Sequence, residues 1–131
     1  GNANPHALMM AISAAQALEY LGMPEARIPL AQATIYIASA PKSNAAIVGI
    51  DKALEAVKSE TTSGVPPHLK DSHYNGAEQL GHGIGYKYPH NYSNNYVRQQ
   101  YLPDELLGKE FYSPSDNGYE KRIKDFLNKL D

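Results

Sequence analysis

Apolar positions crowd the first third of the chain so densely that two of its segments have almost no water-facing side. Between His6 and Leu21 the polar residues Ser13, Gln16 and Glu19 recur at spacing three and form one narrow stripe. Leu8, Met9, Met10, Ala11, Ile12, Ala14, Ala15, Ala17, Leu18 and Leu21 cover the rest of that turn pattern. Asn4 as cap, Pro5 at the first helical position and Gly22 beyond the end frame a helix over His6 to Leu21. A second helix is predicted from Pro24 or Pro29 to Ala40, stopped by Pro41. Its Leu30, Ala31, Ala33, Ile35, Tyr36, Ile37 and Ala38 leave only Gln32, Thr34 and Ser39 polar. A third, capped by Ser43, has an ordinary amphipathic pattern: Ile47, Ile50, Ala53, Leu54 and Val57 on one stripe, Asp51, Lys52, Glu55 and Lys58 opposite. The first two helices therefore need partners on several sides, and the third reads as a surface helix that buries its aliphatic stripe.

The pattern breaks at Ser59 to Pro67, whose Ser-Glu-Thr-Thr-Ser-Gly-Val-Pro-Pro cannot extend a helix. Beyond it, residues 74 to 119 hold eight of the ten tyrosines, interleaved with Gly, Pro, Asn and His. A short or broken helix is expected over Pro67 to Leu80, a single turn over Pro103 to Leu107, and irregular chain between them. A last helix follows a cap at Ser115 or Asp116, with Tyr119, Ile123, Phe126, Leu127 and Leu130 on its inner face and Lys121, Arg122, Lys124 and Lys129 outside. No strand pattern supports a sheet. The expected fold is all-α, a bundle of about four to six helices, in one domain over 1–131: a helical core at about 5–58 and 116–130, and an irregular wrapping segment at about 59–115. The tyrosines read as amphipathic rings that cover apolar helix surface.

Composition narrows the picture further. The chain has 131 residues, enough for a core without staples, and no cysteine, so disulfides and thiolate metal sites are excluded. A net charge of -2 gives no global electrostatic reason to bind nucleic acid or an anionic membrane. The apolar runs are interrupted well before the roughly 20 residues needed to span a bilayer, which predicts a soluble chain without a membrane partner. The abrupt start at Gly1, one turn before a helix, predicts a piece of a longer polypeptide.

Chemistry is sparse. The segment Gly81-His82-Gly83-Ile84-Gly85-Tyr86-Lys87-Tyr88-Pro89-His90 is neither a P-loop nor a dinucleotide fingerprint, because Gly85 is followed by Tyr86 and no strand precedes it. Its glycines supply left-handed turns, either to aim His82, Lys87 and His90 at an anion or simply to close a tight loop. The five histidines include no His-x-x-x-His or His-Glu-x-x-His pair, so zinc spacing is missing. No Gly-x-Ser-x-Gly elbow is present. Asp104, Glu105 and Asp125 read as solvated charges.

Several longer motifs are distinctive: Gly1-Asn2-Ala3-Asn4-Pro5, Ile28-Pro29-Leu30-Ala31-Gln32-Ala33, Ala40-Pro41-Lys42-Ser43-Asn44-Ala45, Val65-Pro66-Pro67-His68-Leu69-Lys70, Gly81-His82-Gly83 through His90, Gln100-Tyr101-Leu102-Pro103, and Gly118-Tyr119-Glu120. Together, over essentially the whole chain, they resemble the C-terminal region of the RarA/MgsA family, replication-associated recombination ATPases related to Werner-helicase-interacting protein. Asn117 departs from the family pattern, which carries a basic residue there. The resemblance implies a helical oligomerisation domain like the collar of clamp loaders, in a homotetramer, with no catalysis and no cofactor of its own. It places ATP and Mg on an AAA+ domain upstream of Gly1. It also implies DNA and single-strand-binding protein as partners of the full-length protein, in the cytoplasm at the nucleoid.

Three functions compete on these grounds. In the first, an assembly domain, Met9, Met10, Ile35 and Tyr36 contact neighbouring subunits. The second is a nucleic-acid module in which Tyr86, Tyr88, Tyr92 and Tyr96 stack on bases and Lys87 and Arg98 meet phosphate; His82, Gly83, Gly85 and His90 shape that loop. The third, an enzyme using His82 or His90, has no paired nucleophile and base and ranks last.

Overall fold

The computed structural model describes residues 1–130. Among them are four α-helices, α1 (His6–Leu21), α2 (Arg27–Ser39), α3 (Ala45–Ser59) and α4 (Tyr119–Leu127), with short 3-10 turns between α3 and α4 and no strand. The all-α expectation holds. None of the helices among the described residues is long and apolar enough to cross a membrane. The chain divides into two compact units, one of Gly1–Lys52 with the segment from Phe111 onward, the other Ala53–Glu110; α3 runs from the first into the second.

In the first unit α1 and α2 pack on each other through small residues. Ala14 of α1 and Ala33 of α2 are buried, as are Ala3, Ala26 and Ala45. Alanine brings helix axes close but removes little apolar area from water. The large side chains Leu8, Met9, Ile12, Leu21, Ile28 and Ile35 stay exposed. Local signals explain the boundaries. Gly22 ends α1 with a positive φ, and Pro29 sits in the first turn of α2, where its missing N–H has no helical partner to lose. Lys42 donates through Nζ to the carbonyls of Ile37 and Ala40, closing the C-terminal end of α2.

Two expectations are corrected here. Asn4 does not cap α1: its Oδ1 accepts a hydrogen bond from the Tyr36 hydroxyl at 3.2 Å, and Pro5 stands at the cap without a side-chain bond. The long-range partner outcompetes the local one. The larger correction concerns α3, whose Ile47, Ile50, Leu54 and Val57 are 48–70% exposed while Ala45, Gly49 and Ala56 are buried. Gly49 is the reason. A Cβ there would lie 3.3 Å from the Phe111 carbonyl oxygen, so the absent side chain lets the returning backbone at Phe111 and Tyr112 cross the helix on that side. At Gly49 α3 takes the neighbouring backbone, and the aliphatic stripe is left open.

The second unit has a few buried residues, Ala56, Pro66, Ala77, Val97 and Leu106. The helix expected over Pro67 to Leu80 is two 3-10 turns, Pro67–Leu69 and Glu78–Leu80, and the turn near Pro103 is Asp104–Leu106. Asp104 and Glu105 are exposed, as solvated charges are, and each also accepts hydrogen bonds. Asp104 accepts from Gln100 Nε2 at 2.7 Å, and Glu105 accepts from the Ser63 amide and hydroxyl at 3.0 and 3.1 Å. These carboxylates fasten loops that lack regular backbone pairing.

Candidate functional site

The most organised polar cluster in the molecule surrounds Glu120, in the first unit. Gly118 begins α4 with φ +54, and an added Cβ there would lie 2.1 Å from the Ala3 carbonyl oxygen and 2.7 Å from Pro41 Cγ. Only glycine fits. Its close approach lets the Tyr119 amide donate to Ala3 O at 2.9 Å, and it turns Glu120 inward rather than to water. The carboxylate, fully buried, accepts from Ser43 Oγ at 2.6 Å, from the Ser115 amide and hydroxyl at 2.9 and 2.6 Å, and from the Tyr112 hydroxyl at 3.2 Å. Burial alone would raise its pKa, but the hydrogen bonds from Ser115, Ser43 and Tyr112 outweigh that and hold the carboxyl at about 2. Ser43 also accepts from the Ala45 amide at 3.1 Å, so one hydroxyl starts α3 and binds α4 at once. Asn117 donates through Nδ2 to Lys42 O at 3.0 Å, a neutral link at the position where a basic residue would be expected.

This clasp ties together the residues around Ala3, Pro41 to Ser43 and Gly118 to Glu120, which are far apart in sequence. Beside it lies an open recess of about 640 Å³, bounded by Asn4, His6, Tyr36, Tyr119 and Arg122. The expected inner face of α4 is corrected accordingly: Glu120 is the buried residue, while Tyr119, Phe126 and Leu127 are exposed and Ile123 is half-buried. Sequence reasoning missed Glu120 because a charge on a helix reads as solvated. The only local signal was Ser115 five residues ahead; Ser43 stands 77 positions away.

The interface candidates are split. Met9 (61%) and Ile35 (70%) are exposed, Met10 is half-buried, and Tyr36 (36%) is engaged with Asn4. In the second unit, Gly81, Gly83 and Gly85 do take positive φ. The Gly83 amide donates to Pro67 O at 2.9 Å, and His82 Nδ1 lies 2.5 Å from the Tyr74 hydroxyl. Gln99 grips the backbone of Lys87, its Oε1 accepting from the Lys87 amide at 3.1 Å and its Nε2 donating to the carbonyl at 2.9 Å. Tyr88 and His90 form a tilted ring pair 5.0 Å apart, and Tyr86 is about half exposed. His68 Nε2 donates to Gln100 O at 2.7 Å. The loop is thus a braced structure. No group of His, Asp or Glu among the described residues could hold a metal ion.

Comparison with known proteins agrees with this architecture. The profile described as MgsA AAA+ ATPase C terminal matches residues 1–131. Replication-associated recombination protein A of Bacillus subtilis is 50% identical over 131 residues, 99% of this chain and 31% of that protein. The protein of the same name from Escherichia coli K12 is 34% identical over 128 residues, 97% of this chain and 29% of the relative. ATPase WRNIP1 of Dictyostelium discoideum is 32% identical over 113 residues, 86% of this chain and 13% of its own length. The chain spans less than a third of each relative. With the profile covering it from end to end, the chain belongs to the MgsA-type AAA+ ATPase C-terminal family.

Proposed function

We propose that this chain is the assembly region of a RarA-type ATPase and joins copies of it into a homotetramer. The AAA+ portion of the same polypeptide binds ATP and Mg and works on DNA, with single-strand-binding protein, at replication forks in the cytoplasm near the nucleoid. The chain itself does no chemistry in this reading.

One observation carries the proposal: too much apolar surface is left over. The accessible surface is 9809 Å². Two separate folded bodies of about half the mass each would expose about 8,200 Å² together, so about 1,600 Å² is in excess even without any packing between the two units. Among the exposed side chains are Leu8, Met9 and Ile12 on α1, Ile28 and Ile35 on α2, and Ile47, Ile50, Leu54 and Val57 on α3. A subunit contact of ordinary size buries about 800 Å² per partner, and core-like contacts are where exposed Met and Ile belong.

Light scattering on the 131-residue chain tests this. The expected result is a mass that is a multiple of 14.4 kDa and falls on dilution. A single-chain mass at the highest soluble concentration refutes the assembly role. On the same reading the Gly81–His90 loop is a support, so Lys87→Glu leaves any DNA binding by this chain unchanged. A loss of binding that also shows salt dependence would transfer the function to that loop.

A further inference from the structure

We infer that Asn75 is a site of spontaneous covalent conversion to aspartate and isoaspartate in the folded chain, and that Asn117, its chemical twin, is protected by the clasp around Glu120. The dipeptide Asn-Gly occurs twice, as Asn75-Gly76 and Asn117-Gly118. In such a pair the next main-chain nitrogen can close a five-membered ring onto the side-chain Cγ, and glycine has no Cβ to obstruct its approach. The nitrogen gives its proton to water and attacks Cγ. A new N–Cγ bond forms, the Cγ–Nδ2 bond breaks, and Nδ2 takes up a proton and leaves as ammonia. Water then opens the resulting succinimide. Addition at Cγ gives aspartate; addition at the main-chain carbonyl carbon gives isoaspartate, whose backbone runs through Cβ and Cγ. The sum is amide and water to acid and ammonia, with no redox change.

The fold separates the two sites. Asn75 is exposed, and among the described residues neither its side chain nor the Gly76 amide has a hydrogen-bond partner. Gly76 stands at φ +91 with no atom within 4 Å of where a Cβ would lie, and the turn is closed by the Ala77 amide donating to Tyr74 O at 3.2 Å. Little has to be broken for the Gly76 nitrogen to swing towards Asn75 Cγ. Asn117 is held instead. Its amide donates to Ser115 Oγ at 3.2 Å, its carbonyl accepts from the Glu120 amide at 3.2 Å, and Nδ2, the leaving nitrogen, donates to Lys42 O at 3.0 Å. The attacking nitrogen belongs to Gly118, which is wedged against Ala3 O and Pro41 Cγ and is followed by the Tyr119 amide bonded to Ala3 O. Ring closure at Asn117 therefore waits on local opening of the clasp.

The consequence falls on an anchor of the second unit. Ala77 is buried, and its carbonyl accepts from the Leu80 and His82 amides at 3.1 and 3.0 Å. Isoaspartate at position 75 adds a carbon to the backbone of the turn that sets Ala77 in place, and either product adds a carboxylate that is ionised at neutral pH. The segment that Ala77 fastens loosens as the chain ages.

The 131-residue chain, incubated in mildly alkaline buffer with and without denaturing urea, gives the test. Peptide mapping by mass spectrometry locates the exchange of NH₂ for OH at each asparagine, and methyl transfer by an isoaspartyl carboxyl methyltransferase counts the isoaspartate. Asn75 should convert at least about tenfold faster than Asn117 in the folded chain, and at about the same rate in urea, because only the folded clasp restrains Asn117. Asn75→Gln, whose ring would need six members, should remove methyl acceptance from the folded chain while its circular dichroism matches that of the unsubstituted chain. Conversion of Asn75 no faster than that of Asn117 in the folded chain overturns the inference. So does a preference for Asn75 that survives in urea, since local sequence and not the fold would then choose the site, and so does methyl acceptance that persists in folded Asn75→Gln.

Discussion

Replacing Glu120 isolates the clasp from everything else in the molecule. The carboxylate titrates at about 2 in the folded chain against an ordinary 4.5. Each pH unit of such a difference is worth about 1.4 kcal/mol, so ionised Glu120 contributes about 3 kcal/mol relative to its protonated form. Glu120→Ala forfeits this, and it also strands the Ser43 and Ser115 hydroxyls, the Tyr112 hydroxyl and the Ser115 amide, which are engaged by the carboxylate. A loss of about 3–5 kcal/mol is expected, the range for breaking a buried charged network. Glu120→Gln is milder. Its amide oxygen can occupy the site of Oε2 and keep the Ser43 and Ser115 bonds, while its NH₂ donates to the Tyr112 oxygen, so the cost is the charge alone, at most about 3 kcal/mol. The pH dependence has a definite sign. Because the folded carboxyl is depressed, its stabilisation is complete above pH 4.5 and drains away as pH falls towards 2. Urea unfolding of the native chain, Glu120→Gln and Glu120→Ala at one fixed protomer concentration should therefore show large gaps at pH 7 that narrow below pH 4.5. Glu120→Ala within about 0.5 kcal/mol of the native chain at pH 7, or gaps that do not narrow in acid, would refute the clasp as a stabilising element.

Other substitutions probe separate parts of the structure. Gly118→Ala drives a methyl against Ala3 O and Pro41 Cγ at a positive φ, and should cost at least about 2 kcal/mol by urea unfolding while Gly64→Ala, with open space around it, costs less. Ile35→Asp alters an exposed side chain, so it should leave the circular dichroism unchanged and lower the mass seen by light scattering; an unaltered mass would remove Ile35 from the contact. Tyr74→Phe deletes the hydroxyl that meets His82 and should cost about 1 kcal/mol, read as faster amide hydrogen exchange confined to residues 74–86.

Much of the architecture was legible along the chain. Proline and glycine punctuation located α1 to its first and last residue, Ser43 was recognisable as the residue that starts α3, and the lack of a water-facing side on α1 and α2 foretold the exposed Met9 and Ile35. The resemblance to the RarA/MgsA family was readable from the motifs alone and is matched by the profile over residues 1–131. The clasp was not legible, even though its parts sit inside those same motifs. No local periodicity links Ser43 to a carboxylate 77 residues later, and a glutamate in an amphipathic helix carries the same signature whether it faces water or three hydroxyls.

Sequence by itself determined the four helices, the limits of α1 and the surplus of apolar residues, because hydrogen-bonding geometry, prolyl and glycyl dihedrals and side-chain spacing are local properties. Only the tertiary structure decided which sides of those helices are used. Burial depends on how near another backbone can come, and the backbone at Phe111 and Tyr112 approaches α3 over Gly49 while its Ile47, Ile50, Leu54 and Val57 remain open. The same rule of closest approach, acting at Gly118, turned an apparently solvated Glu120 into the buried centre of the first unit.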